Sequence, residues 1–236
     1  MTDNKYICVE NLKKRYVYRN FFGKKFIYEP IKNVSFTVAE GESVGLSGPS
    51  GCGKSTVARI ILKLIEKTSG SVTVEGKNID ILKGEELIRF RRKCQIVFQD
   101  PYSSLTPVMN VGELIKEAVV FHKITEKNKA EKYVKSIFDR CGLAGSAYSK
   151  RPAEFSGGQR QRIAVARALA LKPSFIVADE PVSALDPSVQ AQILNLFKDL
   201  QEEEKLTLLF VSHDKDVLNF MCDRIVEIKE GKVLSL

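Results

Sequence analysis

SVGLSGPSGCGKST, residues 43–56, is the stretch on which the fold turns. SVGLS is a short strand-like run. It leads straight into GPSGCGKS (48–55), which fits G-x-x-x-x-G-K-[ST] at every fixed position. Beyond it, Val57, Ile60, Ile61, Leu64 and Ile65 recur at helical spacing, so a helix is predicted over 54–67. Strand, glycine loop and helix in that order make a phosphate cradle. Glycines let backbone N–H groups turn inward around phosphate oxygens. The helix N-terminus adds free donors and partial positive charge. Gly48, Pro49, Ser50, Gly51, Cys52, Gly53, Lys54, Ser55 and Thr56 are therefore candidate nucleotide-binding residues. Lys54 is expected to reach the β- and γ-phosphates and Ser55 to ligate Mg²⁺.

Upstream, KYICVE (5–10) reads as a strand, and RYVYRNFFGKKFIYEP as a long hairpin or loop. IKNVSFTVAEGE alternates, with Val34, Phe36 and Val38 on one face. Downstream, SVTVEGKNI reads as strand, turn, strand, and QIVFQ (95–99) as a strand. VGELIKEAVVFHK and TEKNKAEKYVKSIFDRCG then have helical period, and no strand run interrupts them. Residues 100–153 are therefore expected to form a helical insert, with 1–99 and 154–236 as the α/β core. After the insert come a helix at 157–171, strand FIVA, a helix at 187–204, strand LTLLFVS, a short helix, and the hairpin RIVEI/KVLSL. This alternation argues a mostly parallel, doubly wound sheet, FIVA and LLFV being covered on both faces; together with the phosphate loop the expected fold class is an α/β P-loop NTPase (RecA-like) core. An antiparallel part precedes it.

Composition narrows the function classes. The chain has 236 residues, 44% hydrophobic and 28% charged, as a globular protein does. Five scattered cysteines form no C-x-x-C pair, so neither a zinc site nor a redox pair is signalled, and a reducing cytosol is expected. No uncharged apolar run approaches the roughly 18 residues needed to span a bilayer, and the N-terminus has no apolar leader stretch. Any spanning part of a membrane machine must then come from other chains. The net charge of +8 reads as a lysine-rich solvated surface, because acids and bases are interspersed.

Two further stretches carry chemistry. FIVADE (175–180) ends an apolar strand in two acids. Asp179 is placed to hold Mg²⁺, directly or through water. Glu180 is placed to polarise an attacking water as general base. EFSGGQRQR (154–162) is a second glycine-rich loop. Ser156 and Gln159 have the spacing of a capping box. Gly157 and Gly158 in the first turn cost about 1 kcal/mol each against alanine. They make sense where something approaches the backbone closely, and a phosphate is the natural candidate. Lys54 and its loop already enclose one nucleotide. The second loop could reach a nucleotide held by another copy.

In their order and spacing, the phosphate loop, FSGGQ (155–159), ADEP (178–181), Gln99 after QIVF, SALD (183–186) and His213 after LLFVS resemble the ATPase subunits of ABC transporters. The resemblance covers essentially the whole chain. One departure is Phe155, where that family usually has leucine. The resemblance implies a head-to-tail dimer with two ATP molecules between protomers. Ser156, Gly157, Gly158 and Gln159 of one protomer would face the γ-phosphate on the other's Lys54 loop. Gln99 would sense Mg²⁺ and the attacking water and connect to the membrane partner. His213 would contact the γ-phosphate, and Asp186 would couple the two sites. Tyr16 aligns best with the aromatic that stacks on adenine, with Tyr18, Phe21, Phe22, Phe26 and Tyr28 close by.

VFQDPYSSLTPVMNVGELI and the aromatic-rich segment before PIKNVSF look like the branch that imports oligopeptides, nickel or metal–chelator complexes. The chain stops at KVLSL, so the C-terminal regulatory extension frequent in that branch is expected to be absent. The expected partners are two transmembrane permease subunits, a second ATPase subunit (the same chain or a paralogue) and, indirectly, a solute-binding protein, at the cytoplasmic face of the membrane. Residues 102–111 would help to dock a membrane-partner helix. The alternative is a non-transport ATPase of the same superfamily acting on nucleic acid or the ribosome, which the +8 charge suggests. Such proteins usually carry tandem ATPase domains or a long coiled coil, and this chain has neither, so no nucleic-acid partner is expected. A small-molecule kinase would leave FSGGQ, SALD and His213 unexplained.

Overall fold

The structure is a computed structural model. It describes residues 5–19, 23–102 and 105–235. The chain falls into two compact units, residues 1–87 with 207–236, and residues 88–206.

The first unit is built on a sheet. Strands β1 (Lys5–Arg19) and β2 (Lys25–Ala39) form a long antiparallel hairpin. β3 (Ser43–Ser47) enters the phosphate loop, and α1 (Lys54–Ile61) leaves it. β4 (Ser69–Val74) and β5 (Lys77–Asn78) follow, then helix α2 (Gly84–Lys93), which contains the boundary between the units. β8 (Thr207–Val211), α7 (Lys215–Met221), β9 (Arg224–Lys229) and β10 (Lys232–Ser235) complete this unit. Its strands run in the order β5-β4-β1-β2-β10-β9-β3-β8. β3 pairs in parallel with both β8 and β9. β1 pairs antiparallel with β2 and β4, so the N-terminal part is antiparallel, as expected. Val34, Phe36 and Val38 are buried, as their alternation requires, and Lys32 and Ser35 face out. Both short hairpins turn on a left-handed pair, Glu75-Gly76 and Glu230-Gly231. That pair twists in the sense of the flanking strands.

The predicted helix over 54–67 stops at Ile61. Lys63 is left-handed, at φ 50°. Its N–H bonds the Ile60 carbonyl, and Leu64 N–H bonds that of Arg59. This pair of bonds closes a helix and usually needs glycine. Here the lysine is held in place, because its Nζ donates to the carbonyls of Ile79, Asp80 and Leu82. Leu64, read as part of the apolar stripe, is 46% exposed. α2 has no counterpart in the sequence reading. It buries only Phe90, so its apolar period is faint. Its sign is electrostatic, with Glu85 and Glu86 in the first turn and Arg91, Arg92 and Lys93 in the last.

The second unit pairs β6 (Cys94–Val97) with β7 (Phe175–Asp179) in parallel. Around them are α3 (Val111–Phe121), α4 (Ala130–Arg140), α5 (Gly157–Leu169) and α6 (Pro187–Glu204). Between β6 and α5 the described residues form no strand, in line with a helical insert. Tyr148 locks α3 to the turn after α4. Its hydroxyl donates to Glu113 at 2.8 Å, and a Cβ on Gly112 would lie 2.3 Å from its ring. That bond holds the Glu113 carboxyl below its ordinary range, while burial first, and then Glu113, pushes the Tyr148 phenol up.

Candidate functional site

The phosphate loop is shaped by the chain around it. Gly48, Gly51 and Gly53 are left-handed, at φ 145°, 79° and 106°. A Cβ on Gly48 would lie 2.2 Å from the Ile228 carbonyl oxygen, and one on Gly53 would lie 2.8 Å from that of Pro30. β9 and β2 thus press on the loop from behind. Gly51, at the apex, has open space around it. Lys54 is buried at 5% exposure. Its ammonium donates to the carbonyls of Gly48 (2.7 Å) and Pro49 (3.2 Å). α1 starts at Gly53 with no side-chain cap and no acid in its first turn. A helix end without a side-chain cap, a buried cation and a left-handed glycine loop fit a bound phosphate chain.

Tyr16, Tyr18 and Tyr28 lie together on the β1–β2 hairpin. The Tyr16 ring is 6.3 Å from each of the other two, nearly parallel to both. Tyr28 also donates its hydroxyl to the Gly51 carbonyl at 3.3 Å. The sequence did not show this tie to the loop's apex, because the contact depends on hairpin register. Phe21 and Phe22 lie outside the described residues. His213 is exposed in the turn between β8 and α7, beside Asp214, which caps α7.

The second unit carries the other candidates. β7 is buried throughout and ends in Asp179, at 4% exposure. Glu180 follows, half-buried and left-handed at φ 49°. Ser183 pins this turn. Its N–H and hydroxyl both donate to the Glu180 carbonyl, at 3.4 and 3.1 Å. Gln99 in turn donates to the Ser183 hydroxyl at 3.2 Å. The exposed glutamine and the strained acid are thus joined through one serine. In the sequence Ser183 is simply part of SALD, and its bridging of Gln99 and Glu180 needs the folded turn. Asp186 is exposed at the start of α6 and makes no capping bond to its own helix.

α5 opens with the capping box expected of FSGGQ. Gln159 N–H bonds Ser156 Oγ at 3.4 Å, and Ser156 N–H bonds Gln159 Oε1 at 3.1 Å. Phe155 is buried beneath the loop, in keeping with an apolar position. For Gly158 the structure gives a different reason from the one expected. A Cβ there would lie 2.4 Å from Val189 Cγ1, so α6 of the same chain makes the close approach. Gly157 is exposed, and a Cβ on it would meet only ordinary contact with Leu185. Gly157 therefore keeps the reading as a site for close approach from outside.

Arginines fix the orientation of α5. Arg162 donates to the Cys141 carbonyl (2.7 Å) and to Gln192 (2.9 Å), tying α4 and α6 to it. Arg160 lies over the Tyr102 ring at 5.2 Å and donates to the Pro152 carbonyl at 3.0 Å. Gln99, Tyr102, Gly157, Arg160, Pro181 and Leu185 are among the residues lining a cleft of about 340 Å³. Tyr102 begins the stretch expected to dock a membrane partner. Ser103 and Ser104 within that stretch lie outside the described residues. Replacing Ser156 with alanine removes the cap and is expected to cost about 1 kcal/mol. Thermal unfolding should register this as a fall of roughly 2–4 °C.

The chain matches the ABC transporter family model over residues 31–183. It is 45% identical to the oligopeptide transport ATP-binding protein OppF of Streptococcus mutans, over 100% of this chain and 76% of that one. It is 47% identical to YkfD of Bacillus subtilis, over 91% of this chain, and spans 65% of YkfD's length. Among solved structures, the ATP-binding cassette MJ0796, a dimer in a post-hydrolysis state bound to ADP and Pi, superposes with a TM-score of 0.85 at 34% identity, over 97% of each chain. CbiO1 of Clostridium perfringens, part of the transporter complex cbiONQ, superposes with a TM-score of 0.82 at 27% identity, over 99% of this chain and 88% of that one.

Proposed function

Since this chain belongs to the ABC transporter family, we propose that it is the ATP-hydrolysing subunit of an importer, working at the cytoplasmic face of a membrane beside separate permease subunits. Oligopeptides are the cargo class that the relative OppF favours. Nickel and metal–chelator complexes are narrower versions of the same reading. The relatives named above are transport proteins and do not support the nucleic-acid alternative. Within the chain, residues 1–99 and 154–236 act as the ATP-binding core and 100–153 as the helical signature subdomain, which FSGGQ (155–159) follows. Among the described residues no helix is long and apolar enough to cross a membrane, and the permeases supply the spanning part.

The observation that carries this reading is that two glycine loops in one chain are built for different tasks. At the first, the start of α1 lacks a side-chain cap and lies beside a buried lysine. At the second, the start of α5 is capped by its own Ser156 and leaves Gly157 exposed.

The triphosphate of ATP binds at residues 48–56, where Lys54 and the first-turn N–H groups offset its charge. Ser55, Asp179 and Gln99 are oxygen donors of the hard kind that would hold Mg²⁺, which when bound neutralises charge on the β- and γ-oxygens. Glu180 takes a proton from the attacking water as that oxygen bonds to the γ-phosphorus. The bond to the β–γ bridging oxygen breaks, and ADP leaves. Gln99 orients that water, and His213 contacts the γ-phosphate. Ser156, Gly157, Gly158 and Gln159 reach the γ-phosphate from a neighbouring ATPase subunit, and Asp186 couples the two sites. Tyr16 stacks on adenine, with Tyr28 beside it. The test is to purify the chain from detergent-solubilised membranes and measure phosphate release. Two co-purifying membrane proteins and Mg²⁺-dependent turnover are expected. A chain that hydrolyses ATP but recovers only nucleic acid would overturn the transport reading.

A further inference from the structure

α5 packs against β6, and the first buried residue along it is polar. Gln161 is only 1% exposed. Ala164, Val165 and Ala168 lie three, four and seven residues further on and are buried too, so Gln161 heads an apolar stripe. A buried amide costs free energy unless it is hydrogen-bonded. An apolar side chain would pack there without that cost, so packing does not explain a glutamine.

The bond that the amide makes points to its task. Gln161 Nε2 donates to the Phe98 carbonyl at 3.4 Å. Bonds that organise a catalytic site are often long before the nucleotide is bound. Phe98 joins the end of β6 to Gln99. Gln99 donates to Ser183 Oγ at 3.2 Å, and that hydroxyl donates to the Glu180 carbonyl at 3.1 Å. The segment bearing Gln99 is thus held twice, at its backbone by Gln161 and at its side chain by Ser183. Gln161, Gln99 and Gly157 also line the same cleft. Gly157 lies on α5 four residues before Gln161, about one turn away. A helix is stiff over that length, so a displacement at Gly157 reaches Phe98 through one side chain.

We propose that Gln161 is a positioning residue for ATP hydrolysis. Through the Phe98 carbonyl it fixes Gln99 relative to the loop at Ser156–Gly158. The amide that orients the attacking water and the loop that meets the neighbouring nucleotide then keep one spacing. Gln161 touches no substrate and acts through Gln99. The inference rests on the roles proposed above for Gln99 and Glu180.

The experiment measures ATP turnover by the chain purified with its membrane partners, unmodified and as Gln161→Met, Ser183→Ala and the two together. Methionine keeps the length of the side chain and removes the donor. Gln161→Met should lower kcat by roughly tenfold, within the hundredfold that a misplacement of about 1 Å can cost, and leave KM for ATP unchanged. In the Ser183→Ala background Gln99 has already lost its side-chain anchor. There Gln161→Met should add less than about twofold. A merely structural glutamine would instead give losses that multiply and that track the unfolding temperature of each variant. Gln161→Leu, the second variant, should repeat the fall in kcat. Unchanged kcat, losses that multiply, or failure of both Gln161 variants to fold overturns the proposal. Glu180→Gln in the same preparation tests the underlying roles separately. Normal turnover there removes the base assigned to Glu180, whereas an inactive Glu180→Gln beside a fully active Gln161→Met removes only the role of Gln161.

Discussion

Glu180→Gln lowers the rate of ATP turnover by roughly 10²–10⁴-fold, the range for removal of a general base, while ATP still binds. Asp179 is buried at the end of β7, and the next residue emerges half-exposed in a left-handed conformation, φ 49°. A non-glycine residue there costs on the order of 1–3 kcal/mol. The turn keeps this conformation because Ser183 holds the Glu180 carbonyl with both its N–H and its hydroxyl. These bonds go to the backbone, so they survive the change to glutamine. The side chain keeps its size and loses only the ability to take a proton. Unfolding temperature should therefore stay within experimental error while phosphate release collapses. Near-normal turnover in Glu180→Gln would mean that another group takes the proton.

Gly48→Ala should abolish ATP binding and destabilise the first unit by on the order of 3 kcal/mol, at the upper end for a single substitution. The new Cβ would lie 2.2 Å from the Ile228 carbonyl oxygen and 2.7 Å from Cys52 Sγ, at a backbone φ of 145°. The carbonyl belongs to β9, which pairs with β3 beneath the loop, and has little room to move. Gly51→Ala is the control. Its φ of 79° is also left-handed, but nothing lies within 4 Å of the added methyl. It should cost only the conformational penalty, about 1–2 kcal/mol. Chemical denaturation and titration with a fluorescent ATP analogue separate the two. Equal effects would mean that backbone conformation, rather than the approach of β9, makes Gly48 necessary.

What the sequence revealed follows from what kind of signal each feature leaves. The phosphate loop, β3, β7 and α6 were legible because fixed spacing, a short apolar run or a long period marks them. α6 spans Pro187–Glu204, as read. The end of α1 was not legible, because a lysine holds the left-handed position where glycine would have announced it. Lys123, at φ 52°, holds the same kind of position after α3, where the helical run VGELIKEAVVFHK does end. α2 left only a charge gradient and one buried ring. The long hairpin was visible as an aromatic, basic run, but its two faces needed the register. In the site, Ser156 and Gln159 formed the box that their spacing implied. At Gly158 the close approach comes from Val189, thirty-one residues further along the chain, which the sequence could not separate from an approach from outside. Ser183 and Tyr28 act through contacts between distant segments, and no spacing rule exposes those.

If the two glycine loops of one chain serve different ATP molecules, as proposed, a complete site needs two subunits. Specific ATPase activity measured across a dilution series of the purified chain tests it most directly. Activity per chain should rise with protein concentration, as the association of two chains requires. Activity per chain that stays constant down to the lowest dilution, with ATP turned over by an isolated monomer, would contradict the claim.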